Sequence, residues 1–564
     1  MVSGSEPAKM KAPIIDHRWR RPAAVILCAL LVRGASEYGW LAWVALTPYA
    51  LAFRSRGARA GAGLGLAQGT AIWLACTPWL AAGLMAWGRV APATAWGFTL
   101  LFAFWQGAPY GAFGWASGWL ARRGRPLGPG RAALWLAGLV ALAPVIIPGH
   151  LAHTLFEYPR LTQVAELGGA GLLLFAVVLV NWLLADALAA WRRPGLAAGR
   201  AATAVLIVVA VAGYGTWRLA AFAPGNDPAR QLDVVLIQPD LPVERKSGAP
   251  PRGVADAAVL AREAAGRFPG AALILLPELP VWSSCGGQAP LDAAIAGAAR
   301  AAGRPLLFGC VDSVYDPPRM EPMTVTGPDG KPEAQFREIR PLREFFNAAV
   351  VVGPDGAAGP VYRKVVLFPF GEYLPFANRF PLLRKLFPGV PGYAAGGAPM
   401  PLQAGGFRLA PLLCYEALSP SYVRAVAERA DVLVHMADDA WFGDCHAARF
   451  HLALAAFRAV ENRRPLLRVT NSGWSAIVQA SGEIAPGSTT PCFAPAVREG
   501  RVDIRAGRSF YMRWGAFYPW LVGGLLLFDL LLALRRKPQV LPVPSGEGDA
   551  GVHPSGLWGG LGSK

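Results

Sequence analysis

Charge is scarce in this 564-residue chain. Asp, Glu, Lys and Arg make up 16% of it and hydrophobic residues 54%, whereas ordinary soluble domains carry about 25% charged residues. That scarcity excludes a wholly water-soluble chain and places long stretches in lipid. Histidine is scarcer still, at seven residues. The seven cysteines (28, 76, 285, 310, 414, 445 and 492) include no Cys-x-x-Cys pair and no regular spacing. No zinc site and no disulfide framework is indicated by such a pattern. Acidic residues number 36 against 54 Lys and Arg, a formal net charge of +18. A basic excess of that size suits nucleic-acid binding in general, but its placement along the chain points to membrane topology, and no nucleic-acid partner is expected.

Apolar runs that approach or exceed a bilayer's thickness lie at roughly 22–35, 38–53, 61–85, 92–121, 131–149, 166–190, 200–222 and, after a long polar gap, 515–534. They predict about eight spans. The basic start before Pro22–Val32 also has the form of a secretory signal, but the charge alternation requires this run as a retained helix. Arg54, Arg56 and Arg59 follow the second span, and Arg122, Arg123, Arg125 and Arg131 the fourth. Arg192, Arg193 and Arg200 follow the sixth, and Arg535, Arg536 and Lys537 the eighth. The intervening connections are poor in Lys and Arg. The positive-inside rule then puts both termini in the cytoplasm and 223–514 on the outer side. Within the spans Glu166 and Asp186 lie near the ends and Asn181 in the middle. A proton-coupled transporter needs more intramembrane charge than this. His150, His153 and Glu157 fall in the outer loop between the fifth and sixth spans and read as solvated or surface-packed rather than ligating.

From Asp233 the texture changes to strand-like runs alternating with helix-like ones, an α/β layered domain of the kind that builds its own core. Residues 314–345, rich in Pro, Gly and charge, read as an insertion or long loop. Phe376–Pro388 is apolar with three basic residues, and reads either as core cover or as an arm dipping into the bilayer surface. The expected domains are 1–222 in the membrane, 223–514 outside, a terminal span 515–534 and a cytoplasmic tail 535–564.

Three strand-end or turn contexts carry chemistry. Leu273-Ile-Leu-Leu-Pro-Glu278 delivers a carboxylate, Tyr362-Arg-Lys364 an ammonium, and Arg408-Leu-Ala-Pro-Leu-Leu-Cys414 a thiol followed by Tyr415 and Glu416. Glu, Lys and Cys in that order supply a base, an oxyanion partner and a nucleophile. A lone cysteine after a strand is more often a small core hydrophobe; the other two stretches shift the balance.

With Pro369-Phe-Gly-Glu-Tyr373, Asp439-Ala-Trp-Phe-Gly443, Arg464-Pro-Leu-Leu-Arg468 and Thr470-Asn-Ser-Gly473 added, the chain resembles the apolipoprotein N-acyltransferases, membrane enzymes of the nitrilase (carbon–nitrogen hydrolase) superfamily. The resemblance covers most of the chain. It implies a polytopic α-helical bundle plus an extramembrane α/β nitrilase-like αββα sandwich, in a bacterial inner membrane with the catalytic domain periplasmic. It implies a triad of Glu278, Lys364 and Cys414 with Glu372, Tyr415 and Glu416 supporting. A thioester acyl-enzyme, a phospholipid acyl donor and a diacylated apolipoprotein acceptor follow from it. A monomer without metal or organic cofactor is expected. The chain departs from the family pattern at Pro239 and Asp240 after Gln238, in Glu244-Arg-Lys-Ser247, and at Asp438 before Asp439. The competing reading is a membrane-anchored amidase that uses the same triad with water; it leaves eight spans and an apolar arm unexplained.

Sidedness is directly testable. Reporter fusions after residues 56, 125 and 195 are expected to report cytoplasm, and one after residue 300 the outer side. A cytoplasmic signal at 300 would overturn the orientation.

Overall fold

A computed structural model describes residues 20–53, 57–86, 90–221, 230–241, 252–278, 284–286, 291, 293–326, 332–505 and 507–537. Arg54, Arg56, the 222/223 boundary, Glu244–Ser247, the basic start before Arg20 and the tail beyond Lys537 lie outside the described residues.

Several of the expected spans are interrupted helices. Ala165–Ala189, Pro194–Ala220 and Phe510–Leu534 are long and apolar enough to cross a membrane, and a fourth joins them if Ala58–Cys76 and Pro78–Ala86, bent by 54°, form one span. Eight uninterrupted spans are therefore not present among the described residues. The causes are local. Region 38–53 folds as a 3-10 turn, Gly39–Trp43, and a short helix, Thr47–Ala52. The buried Asn181 side chain serves the break: it donates to the Ala42 carbonyl (3.0 Å) and accepts from the Leu46 amide (2.8 Å) and Thr47 Oγ1 (3.1 Å). Backbone freed at membrane depth needs such a partner. The 131–149 run ends its helix at Leu142, ahead of Pro144, because a residue before proline leaves the helical region. Gln106 then bonds the Ile146 amide and the Ile147 carbonyl, each at 2.8 Å. Pro78 marks the 54° bend in the same way.

The Ala58–Cys76 helix lies directly on Pro92–Arg122. A Cβ at Gly61, Gly65 or Gly69 would collide with backbone at Gly114, Tyr110 or Gly107, the close approach that small residues permit between membrane helices. Near the Arg-rich side, Asp529 takes Arg125 (2.7 Å), Arg131 (2.8 Å) and Trp135 Nε1 (2.8 Å). Ile26, Leu30, Leu101, Val205, Leu206, Trp520 and Phe528 are exposed on the outside of the bundle. An apolar surface of that breadth is matched to lipid.

The second unit is built on two sheets. One has the order β13-β1-β2-β3-β6-β7, with β1 Gln231–Gln238, β2 Leu273–Leu275, β3 Leu306–Tyr315, β6 Leu342–Val352, β7 Ala358–Arg363 and β13 Ala496–Asp503. The other has the order β12-β11-β10-β9-β8, with β8 Leu402–Ala404, β9 Phe407–Leu413, β10 Val432–Ala437, β11 Leu466–Thr470 and β12 Ala476–Val478. Side chains alternate across each strand. Val234 and Leu236 face the opposing sheet, with Leu409, Leu413, Val432, Val434 and Met436. Val235 and Ile237 face outward, with residues of the Arg252–Arg267 and Ala293–Ala302 helices. The far side of the second sheet is covered by Pro420–Ala427 and Cys445–Asn462, whose core is continuous with the bundle. The result is an αββα sandwich with one helical layer fused to the membrane unit.

The described residues of 314–345 form an inserted ribbon rather than a long loop. β4 Arg319–Thr326 and β5 Pro332–Ile339 form an antiparallel ribbon continuing β3 and β6. Its charge and proline hide the strand signal because it lies outside both cores. Cys285 pairs with Cys310 and Cys445 with Cys492, leaving Cys28, Cys76 and Cys414 free. At the junction of the two units, Glu166 of the bundle accepts from Arg463 Nε (2.8 Å), Arg218 Nη2 (2.8 Å) and Tyr214.

Candidate active site

Glu278 follows β2 and Lys364 follows β7, both strands of the six-stranded sheet, and Cys414 follows β9 of the other. The site therefore lies where the two sheets present their strand ends, in a crevice that layered α/β folds use for ligands.

Lys364 is 1% exposed and lies between two carboxylates. Its Nζ is 3.1 Å from Glu278 Oε1 and 2.9 Å from Glu372 Oε1. Asn347, on β6, donates Nδ2 to the same two oxygens at 2.6 and 2.8 Å. Two carboxylate oxygens and two donors thus close a four-membered polar ring. The Phe368 amide holds the other oxygen of Glu372 (2.8 Å). A buried charge survives only when paired and hydrogen-bonded, and Lys364, Glu278 and Glu372 meet that condition through one another and Asn347 Nδ2.

Burial pushes the Glu278 carboxyl up to about 7, against the pull of Lys364 and with the repulsion of Glu372 added. Burial alone would lower the Lys364 ammonium, but Glu278 and Glu372 outweigh it and hold it well above its ordinary value. Burial also raises the Cys414 thiol, helped by Glu278 and opposed by Lys364. At rest Cys414 is therefore a thiol, Glu278 a carboxylate poised near neutrality, and Lys364 a lasting cation. A thiol in that state reacts only if its proton is removed during attack.

Cys414 adopts φ +47, a left-handed conformation costing a non-glycine residue about 1–3 kcal/mol and found where a site over-determines it. The fully buried Glu416 braces this turn. It accepts from the Leu413 amide (2.8 Å), the Val365 amide (2.7 Å), the Val366 amide (3.1 Å) and the Tyr362 hydroxyl (2.7 Å). One side chain thus ties the Cys-bearing turn to the Lys-bearing one. Tyr415 reaches the other way, donating to the Ile146 carbonyl of the bundle and packing on Phe368 at 5.1 Å.

Beneath the turn lies Asp439, fully buried, held by Arg468 Nη2 (2.5 Å) and His451 Nδ1 (2.9 Å). A Cβ at Gly473 would overlap the Asp439 carboxylate, so the glycine of Thr470-Asn-Ser-Gly473 is required for room rather than for a turn. Asp438 caps the Asp439–Phe442 turn through the Ala440 amide (3.2 Å) and accepts from Asn471 (3.2 Å). The departure at Asp240 falls on a φ of +51, with its amide bonded to the Asn471 carbonyl (2.8 Å).

The structure brings together Glu278, Lys364 and Glu372, and sets Cys414 within their electrostatic reach. Tyr415 and Glu416 serve as braces. Asn347 was not singled out in the sequence; its only signal is a polar residue at the mouth of an apolar strand. Among the described residues no group of three His, Cys, Asp or Glu is placed to hold a metal ion.

The chain matches known proteins over most of its length. The carbon–nitrogen hydrolase family matches residues 234–491, and the apolipoprotein N-acyltransferase N-terminal domain matches 26–183. Apolipoprotein N-acyltransferase of Azotobacter vinelandii is 30% identical over 527 residues, which cover 90% of this chain and 93% of that one. This chain belongs to the apolipoprotein N-acyltransferases. The protein of that description from Geobacter metallireducens is 36% identical over 195 residues, 34% of this chain and 37% of its own length. Among solved structures, a member of branch 10 of the nitrilase superfamily from Saccharomyces cerevisiae covers 49% of this chain and 90% of its own, at 16% identity and a TM-score of 0.34.

With Glu278 as the proposed base, its ionisation sets the pH dependence. The ionised, proton-accepting fraction rises as pH climbs through about 7, and Lys364 keeps its proton well above that. kcat/KM is expected to rise with pH to a plateau above neutrality, and Glu278→Gln to lose both rate and pH limb. A flat profile between roughly pH 5 and 8 would contradict the assignment of Glu278 as base.

Proposed function

We propose that this protein transfers a fatty acyl chain from a membrane phospholipid to the free α-amino group of the diacylglyceryl-modified N-terminal cysteine of apolipoproteins. The reaction runs in two halves on one thiol. Glu278 takes the Cys414 proton as sulfur attacks the ester carbonyl, and Lys364 stabilises the oxyanion, a contribution of about 3–4 kcal/mol for single donors elsewhere. Glu278 returns the proton to the departing lysophospholipid oxygen, and a thioester remains. The neutral amine then attacks that thioester, its proton passes through Glu278 to the leaving sulfur, and an amide is formed. Glu372 and Asn347 hold Lys364 and Glu278 in register, while Tyr415 and Glu416 hold the turn.

The observation that carries this reading is the seating of the catalytic loop on the bundle. Phe370, between Lys364 and Glu372, packs on Phe98 at 5.4 Å, and Phe387 packs on both, at 5.3 and 5.9 Å. Buried Phe387 roots the 376–388 arm, while Phe376, Phe380, Leu382 and Leu386 stay exposed. These exposed side chains suit insertion at the bilayer surface, each contributing about 1.5–3 kcal/mol if fully buried there. A donor could then reach the thiol without crossing water. Two disulfides in the outer unit fit an oxidising compartment, which supports a periplasmic 223–514, a bacterial inner membrane, and the remaining spans among the shorter helices.

Full-length protein given phospholipid and a diacylated lipopeptide is expected to yield the triacylated peptide by mass. Phe376, Phe380 and Leu382 replaced together by Ser should raise the phospholipid KM with kcat little changed. Release of free fatty acid alone would favour the amidase reading.

A further inference from the structure

We infer that His435 is a positioning residue for the nucleophile, holding the Cys414 backbone through its neutral imidazole. The inference rests on the reading of Cys414 as the acyl carrier.

β10 alternates: Val432, Val434 and Met436 fill the space between the sheets, while Leu433 faces the helical layer. His435 shares the side of Leu433 and is completely buried, at a position whose pattern calls for a hydrophobe. A polar ring there is tolerated only if both nitrogens are bonded. Arg468 Nη1 lies 2.7 Å from Nδ1 and 3.3 Å from Nε2, and Nε2 lies 3.1 Å from the Cys414 carbonyl oxygen. A guanidinium only donates and a carbonyl only accepts. Nδ1, the nearer nitrogen, therefore accepts from Arg468, and Nε2 carries the hydrogen given to Cys414. Arg468 is itself fixed by Asp439 and by the Trp474 carbonyl (3.0 Å). A continuous line of bonds runs from Asp439 through Arg468 and His435 to the main chain of the nucleophile.

That main chain needs holding, because Cys414 sits at φ +47. Glu416 grips the amide of Leu413 just before it, and His435 grips the carbonyl just after. Without the His435 bond the carbonyl side is held less firmly, by the neighbouring His451 alone, and the turn can relax and carry the sulfur away from Glu278 and Lys364. Misplacement of a reacting atom by about 1 Å can lower a rate on the order of 100-fold.

The test uses full-length protein in detergent micelles containing phosphatidylethanolamine. Two rates are read by peptide mass: acylation of Cys414, and its alkylation by iodoacetamide without lipid. His435→Phe keeps the bulk and removes both bonds; His435→Gln keeps one acceptor and one donor. His435→Phe is expected to slow both reactions by about 10- to 100-fold with the phospholipid KM unchanged, and His435→Gln to recover most of the loss. Wild-type rates in His435→Phe would overturn the inference. So would a folded His435→Gln, judged by its melting temperature, that is slowed about 100-fold relative to the unaltered protein; this arm decides the matter even if His435→Phe does not fold. Alkylation rates that follow the His435 series in a protein never acylated by lipid would support the brace and overturn the acyl-carrier reading instead.

Discussion

A lysine ammonium buried to 1% exposure is the constraint on which the rest of the structure depends. It must be paired, and pairing it with two carboxylates at 2.9 and 3.1 Å leaves one negative charge in excess. Asn347 shares its Nδ2 between those carboxylates. The excess is relieved by raising Glu278, which places its ionisation near neutrality. Removing one partner of such a cluster costs about 3–5 kcal/mol, because the others are left uncompensated. Pairing and reactivity thus have a single origin.

The proposed reaction needs the thiol and the lipid to arrive together, and the fold couples the unit that bears the thiol to the bundle. The helical layer over the second sheet shares its core with the bundle. Tyr415 bonds to Ile146, Phe370 packs on Phe98, and Arg463 pairs with Glu166. Each contact joins a segment of the catalytic unit to a bundle element. The bundle therefore holds the site-bearing unit at several separate points.

The parts of this arrangement that were legible in the sequence are those written locally. Apolar strand runs ending in Glu278 and Cys414 read correctly because strand ends deliver side chains to a sheet's edge. The α/β layering followed from the alternation of elements, and its αββα order from the resemblance. Asn347 was not legible, since its partners lie 69 and 25 positions away. The broken second span was hidden for the same reason: hydropathy saw a continuous run, while Asn181, 135 positions from Leu46, makes the break tolerable. The 319–339 ribbon escaped because strand patterning reports burial on one face, and this ribbon lies outside both cores. His435 looked like the tail of a strand until its ring nitrogens had partners.

The most direct measurement is the mass and position of the acyl group. Full-length protein incubated with phospholipid and no acceptor should gain one fatty acyl chain, mapped to Cys414 and released by neutral hydroxylamine, as thioesters are and amides are not. Cys414→Ala should gain none. An acyl group on Cys28 or Cys76, or a Cys414→Ala protein that still transfers acyl chains to a lipopeptide, would contradict the mechanism.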